Sequence, residues 1–502
     1  MPTQPQPTDP MPDQLPTDPL CAGAHGSPPL TARLEPWMRD LLADPRECDR
    51  LLETHGSPVN VHDFTSLERN ARDMIQAGDR HGVSVRVFVA RKANKTLGLV
   101  EAVKALGHGI DVGSERELRQ VLDSGMDPSH IVLTAAVKPE RLLRLAMEHG
   151  VPVALDNLDE AFLAQRVGAE LPEPAPVVLR MAPEPVDGMA PTRFGETSRA
   201  WLSFLDEHPS GPAGFRLDGI HFHLHGYSPA DRSVALAQAI EFFDRLRERG
   251  HAPSFIDMGG GVPMSYLDDA DQWATFWNEH EAAVLAGGAT ETWRADGLGL
   301  RAEDTPEGPR LAGVRDLYPY HQSPVRGQWL DRVLAAEIAP GETAADALNS
   351  RGITLHCEPG RSMLDGCGLT LARVVFRKHM SDGVPIVGLE MNRTQCRSTS
   401  ADFLVDPVLV RTGGADRGAS GRDTWNGDDG AFLVGAYCIE AELILRRRIR
   451  FPDGIDVGDV IALPNTAGYL MHILESASHQ IPLAANVVRS GPGFVRDAID
   501  HC

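Results

Sequence analysis

The sequence predicts an α/β protein built on a parallel (β/α)8 barrel, followed by a second, all-β domain. From residue 83 a short Val- and Ile-rich run followed by a segment of helical character recurs eight times. Strands alternating with helices form parallel sheets, and eight such units close into a barrel. Beyond residue 365 the alternation stops, and strand-like runs separated by turn signals take over. A length of 502 residues suits this pair of domains.

The eight runs are 83–90, 109–114, 130–135, 151–157, 176–183, 217–224, 253–260 and 353–360. After the first, Leu99, Val103 and Leu106 share one helix face, with Asn94 predicted to cap the helix and Gly107 to end it. After the second, Ser114 and Glu117 have the spacing of a capping box. The interval 285–345 is rich in Gly, Pro and charge and predicts an insertion around the last helix. Strands are expected in the later part at 369–378, 384–391, 431–438, 442–451 and 457–465. The boundaries that follow are a disordered, Pro-rich tail over 1–30, a barrel over 58–365, and a β-domain from 31–57 and 366–502.

Composition narrows the function. Hydrophobic residues make up 42% and charged residues 24%, an ordinary globular mix. The net charge of −22 argues against nucleic acid and anionic membrane surfaces as partners. The single basic run, RRRIR at 446–450, predicts a solvated strand. Seven cysteines without a CxxC pattern predict free thiols in a reducing compartment. No stretch approaches about 18 consecutive apolar residues. The N-terminal segment has neither the charged nor the apolar region of a signal peptide, so a cytoplasmic protein is expected.

Barrels of this kind work at the C-terminal ends of their strands. The first run ends in Lys92, either a snorkelling surface residue or a desolvated amine able to form Schiff bases. The sixth ends in HFHLHG, where His221, His223 and His225 alternate and would share one face of an extended strand. The seventh ends in Gly259, Gly260 and Gly261, either a tight turn or a loop whose N–H groups approach a phosphate. The eighth ends in EPGR: Glu358 suits a basic ring nitrogen and Arg361 a phosphate, unless the two form a surface ion pair. A lysine, a phosphate cradle and an acid at one rim are the equipment of a pyridoxal phosphate site. A metal centre on the three histidines is disfavoured, because the neighbouring strand ends supply no further metal ligands.

These segments resemble the fold type III pyridoxal-phosphate decarboxylases, the group of diaminopimelate, ornithine and arginine decarboxylases. The matching stretches are FVARKANK, GIDVGSEREL, GIHFHLHG, FIDMGGGVP, HCEPGRSM, GAYCIEAE and NTAGYL, in family order between about 58 and 482. The resemblance implies an alanine-racemase-like barrel with a C-terminal β-barrel or sandwich domain, pyridoxal 5'-phosphate as cofactor, and an amino acid as substrate. It implies that Lys92 carries the cofactor, that His223 stacks on its ring, and that Glu358 pairs with the ring nitrogen. Gly259, Gly260, Gly261, Gly360, Arg361 and Tyr469 would hold the phosphate. Cys438 would be the proton donor, reaching the site from the partner subunit of a homodimer.

Four departures from the family pattern lie mainly around the substrate, with the third touching an expected phosphate contact. Ile439 follows the cysteine where an acid is usual. Asp406 stands where diaminopimelate decarboxylases carry a carboxylate-binding arginine, which favours a cationic or neutral distal group. His225 and Gly226 replace the usual Gly-Ser, and SASHQIP follows Tyr469 where Phe-Asn-Gly is usual. The expected activity is decarboxylation of an amino acid or an amino-acid conjugate. The alternatives are a racemase or isomerase using Tyr437 as the opposite-face base, and a non-catalytic pyridoxal phosphate binder.

Overall fold

In the computed structural model, which describes residues 16, 18–208, 214–288, 291–398, 403–412 and 427–501, eight parallel strands close into a barrel. They are β1 (Val85–Ala90), β2 (Gly109–Val112), β3 (Ile131–Leu133), β4 (Val153–Leu155), β5 (Ala175–Arg180), β6 (Phe215–His221), β7 (Phe255–Asp257) and β8 (Thr354–Cys357). Each overlaps one predicted run, and β8 pairs with β1 to close the ring. Because helices cover the outside, strands such as β2 and β5 are buried along their whole length and read as apolar runs.

The helix caps refine the expectation. Ser114 Oγ accepts the Glu117 N–H (3.2 Å), but Glu117 Oε2 turns to the Gly113 N–H (2.7 Å), which leaves the box half-made. The helix after β1 spans Leu97–Ala105 and starts later than Asn94. Its first N–H groups, on Leu97 and Gly98, donate to Asp497 from the far end of the chain (2.9 and 2.7 Å). A carboxylate at a helix N-terminus satisfies orphan donors and complements the dipole, and no local signal announces it.

The second domain is a curled nine-stranded sheet centred on Gly368–His379, which pairs with Pro385–Leu389 and Val460–Pro464. Val59–His62, expected at the start of the barrel, also belongs to this sheet. It lies between Gly368–His379, antiparallel, and Ala485–Ser490, parallel. All four of its residues are buried and both its edges are paired, so the barrel unit begins after it. Of the predicted run 442–451, only Ile449–Phe451 is a strand.

Two boundaries move. The helix Ala270–Leu285 already leaves the barrel: its Phe276 and Trp277 join the hydrophobic core of the β-domain, as do Tyr266, Leu298 and Tyr320. The helix Arg326–Leu334, inside the expected insertion, instead packs in the barrel layer through Trp329, Leu330, Val333 and Leu334. The excursion is therefore 263–322. It includes a hairpin, Leu300–Thr305 with Gly308–Gly313.

The proline-rich tail is also shorter than expected. Residues 1–15 and 17 lie outside the described residues, but 18–30 pack on the β-domain, with Cys21, Ala24 and Leu30 buried. Asp406 accounts for this. Its carboxylate, 1% exposed, accepts the N–H groups of Gly26 (2.9 Å) and Leu30 (2.8 Å) and lies 3.3 Å from Arg447 Nη1. Arg447 sits in the basic run that predicted a solvated strand, yet it is buried and also donates to Pro28 O. Its neighbours Arg446 and Arg450 pair with Asp296 and Glu291 of the excursion. Removing one member of a buried ion pair strands the other. Asp406→Ala is expected to destabilise the fold by about 3–5 kcal/mol, read as a lower denaturation midpoint in urea, and to release the 18–30 segment to proteolysis.

Among the described residues no helix is long and apolar enough to cross a membrane. The six cysteines among them are free, and only Cys438 is exposed.

Candidate active site

The C-terminal ends of the barrel strands open into a cleft with two lobes, of about 340 and 600 Å³, which share Lys92, His223 and Glu358. Lys92 sits in the single turn after β1, and its Nζ donates to Asp111 Oδ2 (2.7 Å) on β2. The other oxygen of Asp111 accepts from Thr134 Oγ1 after β3. Burial alone would lower the lysine's pKa, but the facing Asp111, supported by Tyr469 and Glu358, outweighs it and raises the pKa. Lys92 is thus held as an ammonium by Asp111, and must leave that carboxylate to act as a nucleophile. Asp111 is the polar residue inside the apolar run GIDVGS, a signal the sequence offered and the strand pattern masked.

HFHLHG does not place three histidines on one face, because β6 ends at His221. His221 points into the barrel and is buried. Arg180 Nε donates to its Nδ1 (3.0 Å), so Nε2 carries the proton. That Nε2 lies 3.3 Å from Glu358 Oε1, and ligand atoms of His221, Asp257 and Glu358 all lie within 4.8 Å of one another. Burial and the Arg180 charge push the pKa of His221 well down, so it is neutral. Burial pushes the pKa of both carboxyls up, that of Asp257 further because Glu358 stands beside it. Two buried carboxyls this close resist being charged together. His221 Nε2, Asp257 Oδ2 and Glu358 Oε1 have no hydrogen-bond partner among the described residues. Buried atoms left open in this way mark a place for a polar ligand group.

His223 lies in the cleft with Phe194 edge-on to its ring (centroids 5.6 Å apart, 88°). Burial pushes its pKa down to about 3, so it too is neutral. His225 is exposed and lines the larger lobe.

That lobe is walled by the glycines. A Cβ on Gly259 would lie 2.8 Å from Phe222 O and 2.9 Å from His223 Nδ1; one on Gly260 would lie 2.9 Å from Glu358 O. Gly259 and Gly261 also have φ of +66° and +78°. Behind them Arg232, fully buried, donates to Leu224 O (2.9 Å), Gly226 O (3.1 Å) and Gly260 O (3.2 Å), stitching the two loops together. Across the lobe Arg361 donates to Tyr266 OH (2.7 Å) and Ser398 Oγ (2.9 Å). A Cβ on Gly360 would collide with the Tyr469 hydroxyl. Tyr469 itself has φ +70°, rare for a residue with a side chain, and is pinned by its N–H to Ala93 O (2.7 Å). Arg232, Tyr266 and Asp257 escaped the sequence reading, since nothing local marks a side chain as buried against a loop from another part of the barrel.

The structure brings Lys92, His223, Gly260, Gly261, Glu358, Gly360, Arg361 and Tyr469 to this one cleft, with Gly259 behind His223. It does not bring Cys438, which is exposed and lines neither lobe. Beside it, Tyr437 donates to Ser476 O (3.1 Å) and stacks on His479 (5.1 Å, 19°). Asp406, expected near the substrate, is tied up in the N-terminal anchor.

This donor set fits pyridoxal phosphate. Lys92 is the amine, the open atoms around Glu358 suit the pyridine nitrogen, and the glycine cradle with Arg361 and Tyr469 suits the phosphate. Comparison with known proteins agrees. The family model described as "Pyridoxal-dependent decarboxylase, pyridoxal binding domain" matches residues 65–288. The uncharacterized protein y4yA of Sinorhizobium fredii is 29% identical over 488 residues, covering 95% of this chain and 97% of that one. The diaminopimelate decarboxylase of Pseudomonas aeruginosa is 27% identical over 341 residues, covering 68% and 69%. In fold, the chain is similar to the diaminopimelate decarboxylase of M. jannaschii (TM-score 0.66, 18% identity, covering 89% and 90%). It is also similar to the lysine/ornithine decarboxylase of Vibrio vulnificus (TM-score 0.62, 15% identity, covering 91% and 99%). The cofactor set at the rim and these matches together make the chain similar to the fold type III pyridoxal-phosphate-dependent decarboxylases, with a pyridoxal-binding domain over 65–288.

Proposed function

We propose that the chain decarboxylates an amino acid or amino-acid conjugate other than diaminopimelate, as a homodimer whose sites are shared between subunits. The convergence of Lys92, Glu358 and the phosphate cradle on one cleft carries the catalytic reading. When bound, the cofactor supplies an electron sink for the bond broken at the substrate's α-carbon. The chain's own groups do the rest. Lys92 would anchor the cofactor, His223 would lie against its ring, and Glu358 would pair with the ring nitrogen. The partner subunit's Cys438 delivers a proton to the α-carbon.

The position of Cys438 supports the shared site. It is exposed and absent from the cleft of its own chain, and Ile439, Ile473, Leu474 and Leu483 expose large apolar side chains on the same and adjoining loops. Such a patch calls for a covering partner. Tyr437 is held by Ser476 and His479, which favours Cys438 over Tyr437 as the proton carrier and decarboxylation over racemisation.

Asp406 no longer bears on the substrate, because its charge belongs to Arg447. The smaller lobe does. There Arg193 stacks on Phe194 (4.1 Å) without a carboxylate partner among the described residues, and Glu117 lines the same lobe. These two groups, with Ile439 in place of an acid, select the distal end of the substrate.

The test is CO2 release from a panel of amino acids, with meso-diaminopimelate included. Turnover of meso-diaminopimelate faster than every other substrate would refute the specificity. Racemisation without CO2 would refute the reaction. For the shared site, Lys92→Ala and Cys438→Ala are each expected to be inactive alone. Mixed in equal amounts they should regain about a quarter of the wild-type sites by random reassortment of subunits. No recovery after proven subunit exchange would rule out the shared site.

A further inference from the structure

Five of the chain's six tyrosines gather around Arg361. The Tyr318 ring covers its guanidinium at 4.1 Å, and the Tyr469 ring lies at 5.3 Å. Tyr318 is itself fixed by the edges of Tyr227 (6.0 Å), Tyr266 (5.8 Å) and Tyr320 (5.6 Å), and its hydroxyl accepts from Gln322 Nε2 (3.0 Å). Tyr266 N–H donates to Tyr320 O (2.8 Å), zipping the two ends of the excursion together. Arg361 has no carboxylate partner among the described residues; it donates to two neutral hydroxyls.

The choice of partners has an electrostatic consequence. A carboxylate would fix the guanidinium but cancel its charge. Neutral hydroxyls and aromatic faces fix it and leave the charge available to an anion. We propose that the 263–322 excursion is an anion clamp: Tyr318, one of the 315–319 residues that line the larger lobe, holds Arg361 as a cation without a carboxylate partner among the described residues, for the phosphate of the cofactor. Tyr318 acts through Arg361 and is a positioning residue. The proposal rests on the pyridoxal phosphate reading of the site and adds a role at the cofactor for a segment otherwise packed on the β-domain.

The experiment titrates the full chain, stripped of cofactor, with pyridoxal phosphate and separately with pyridoxal, which lacks the phosphate. In Tyr318→Leu, pyridoxal phosphate is expected to bind about tenfold more weakly, while pyridoxal binds within about twofold of wild type. Tyr318→Phe keeps the aromatic face and should bind both as wild type does. Normal pyridoxal binding also certifies that the variant is folded. Equal weakening of both ligands, or no weakening of either, overturns the clamp. A wild-type protein that binds neither ligand overturns the cofactor reading itself, and the clamp with it.

Discussion

Lys92→Ala is expected to lose both the absorbance band at about 420 nm that a lysine-bound cofactor gives and, on the order of 10⁴-fold or more, turnover. The argument is one of geometry. Lys92 is the lysine common to both lobes of the cleft, and no other lysine lines either. Its ammonium is tethered to Asp111, which is buried and braced by Thr134, so the nitrogen cannot be replaced by a neighbour that swings in. The phosphate end is built by other elements, so the variant should still take up cofactor without covalent attachment, and dialysis should remove it. A variant that retained the band would show that a different amine carries the cofactor.

Glu358→Gln is the second large effect. The substitution keeps the shape of a fully enclosed side chain and removes only its ability to hold negative charge. Turnover is expected to fall about 10²–10³-fold, the scale of losing one preorganised electrostatic contact in a dry site. Cofactor loading should change only a few-fold, because Arg361, Tyr469 and the glycine loop lie elsewhere in the lobe. The pairing with Asp257 sharpens the expectation. The two buried carboxyls resist being charged together, and an amide at 358 leaves Asp257 as the carboxyl of the pair able to carry charge. If loading collapsed in step with turnover, Glu358 would be a structural prop and not the partner of the ring.

The barrel was legible because each strand is a short and largely buried run, and each is followed by a segment of helical character. The site was legible for the same reason: Lys92, the glycines and EPGR stand at the ends of runs whose order is the order in space. The β-domain was harder. Val59–His62 is paired by strands more than 300 residues later, and four residues of VNVH contain nothing that says so. The helix Ala270–Leu285 carries the aromatic side chains of a core helix, but the sequence does not say which core it faces. HFHLHG failed as a face because the strand stops at its first residue, and a strand's end is set by where its neighbours stop pairing. Asp406 failed for a related reason: its position in a motif suggested substrate, while its partner Arg447 lay in a run that looked solvated.

The excursion leaves at the glycine loop and buries Phe276 and Trp277 in the core of the β-domain. It meets Arg446 and Arg450 a few positions beyond Cys438, and returns to set Tyr318 on Arg361. The pyridine end of the site is thus the product of one hydrophobic core, and the phosphate end the product of two. The barrel is not a portable cofactor-binding module: cut free of the β-domain, it would keep the lysine and the acid and lose the grip on the phosphate.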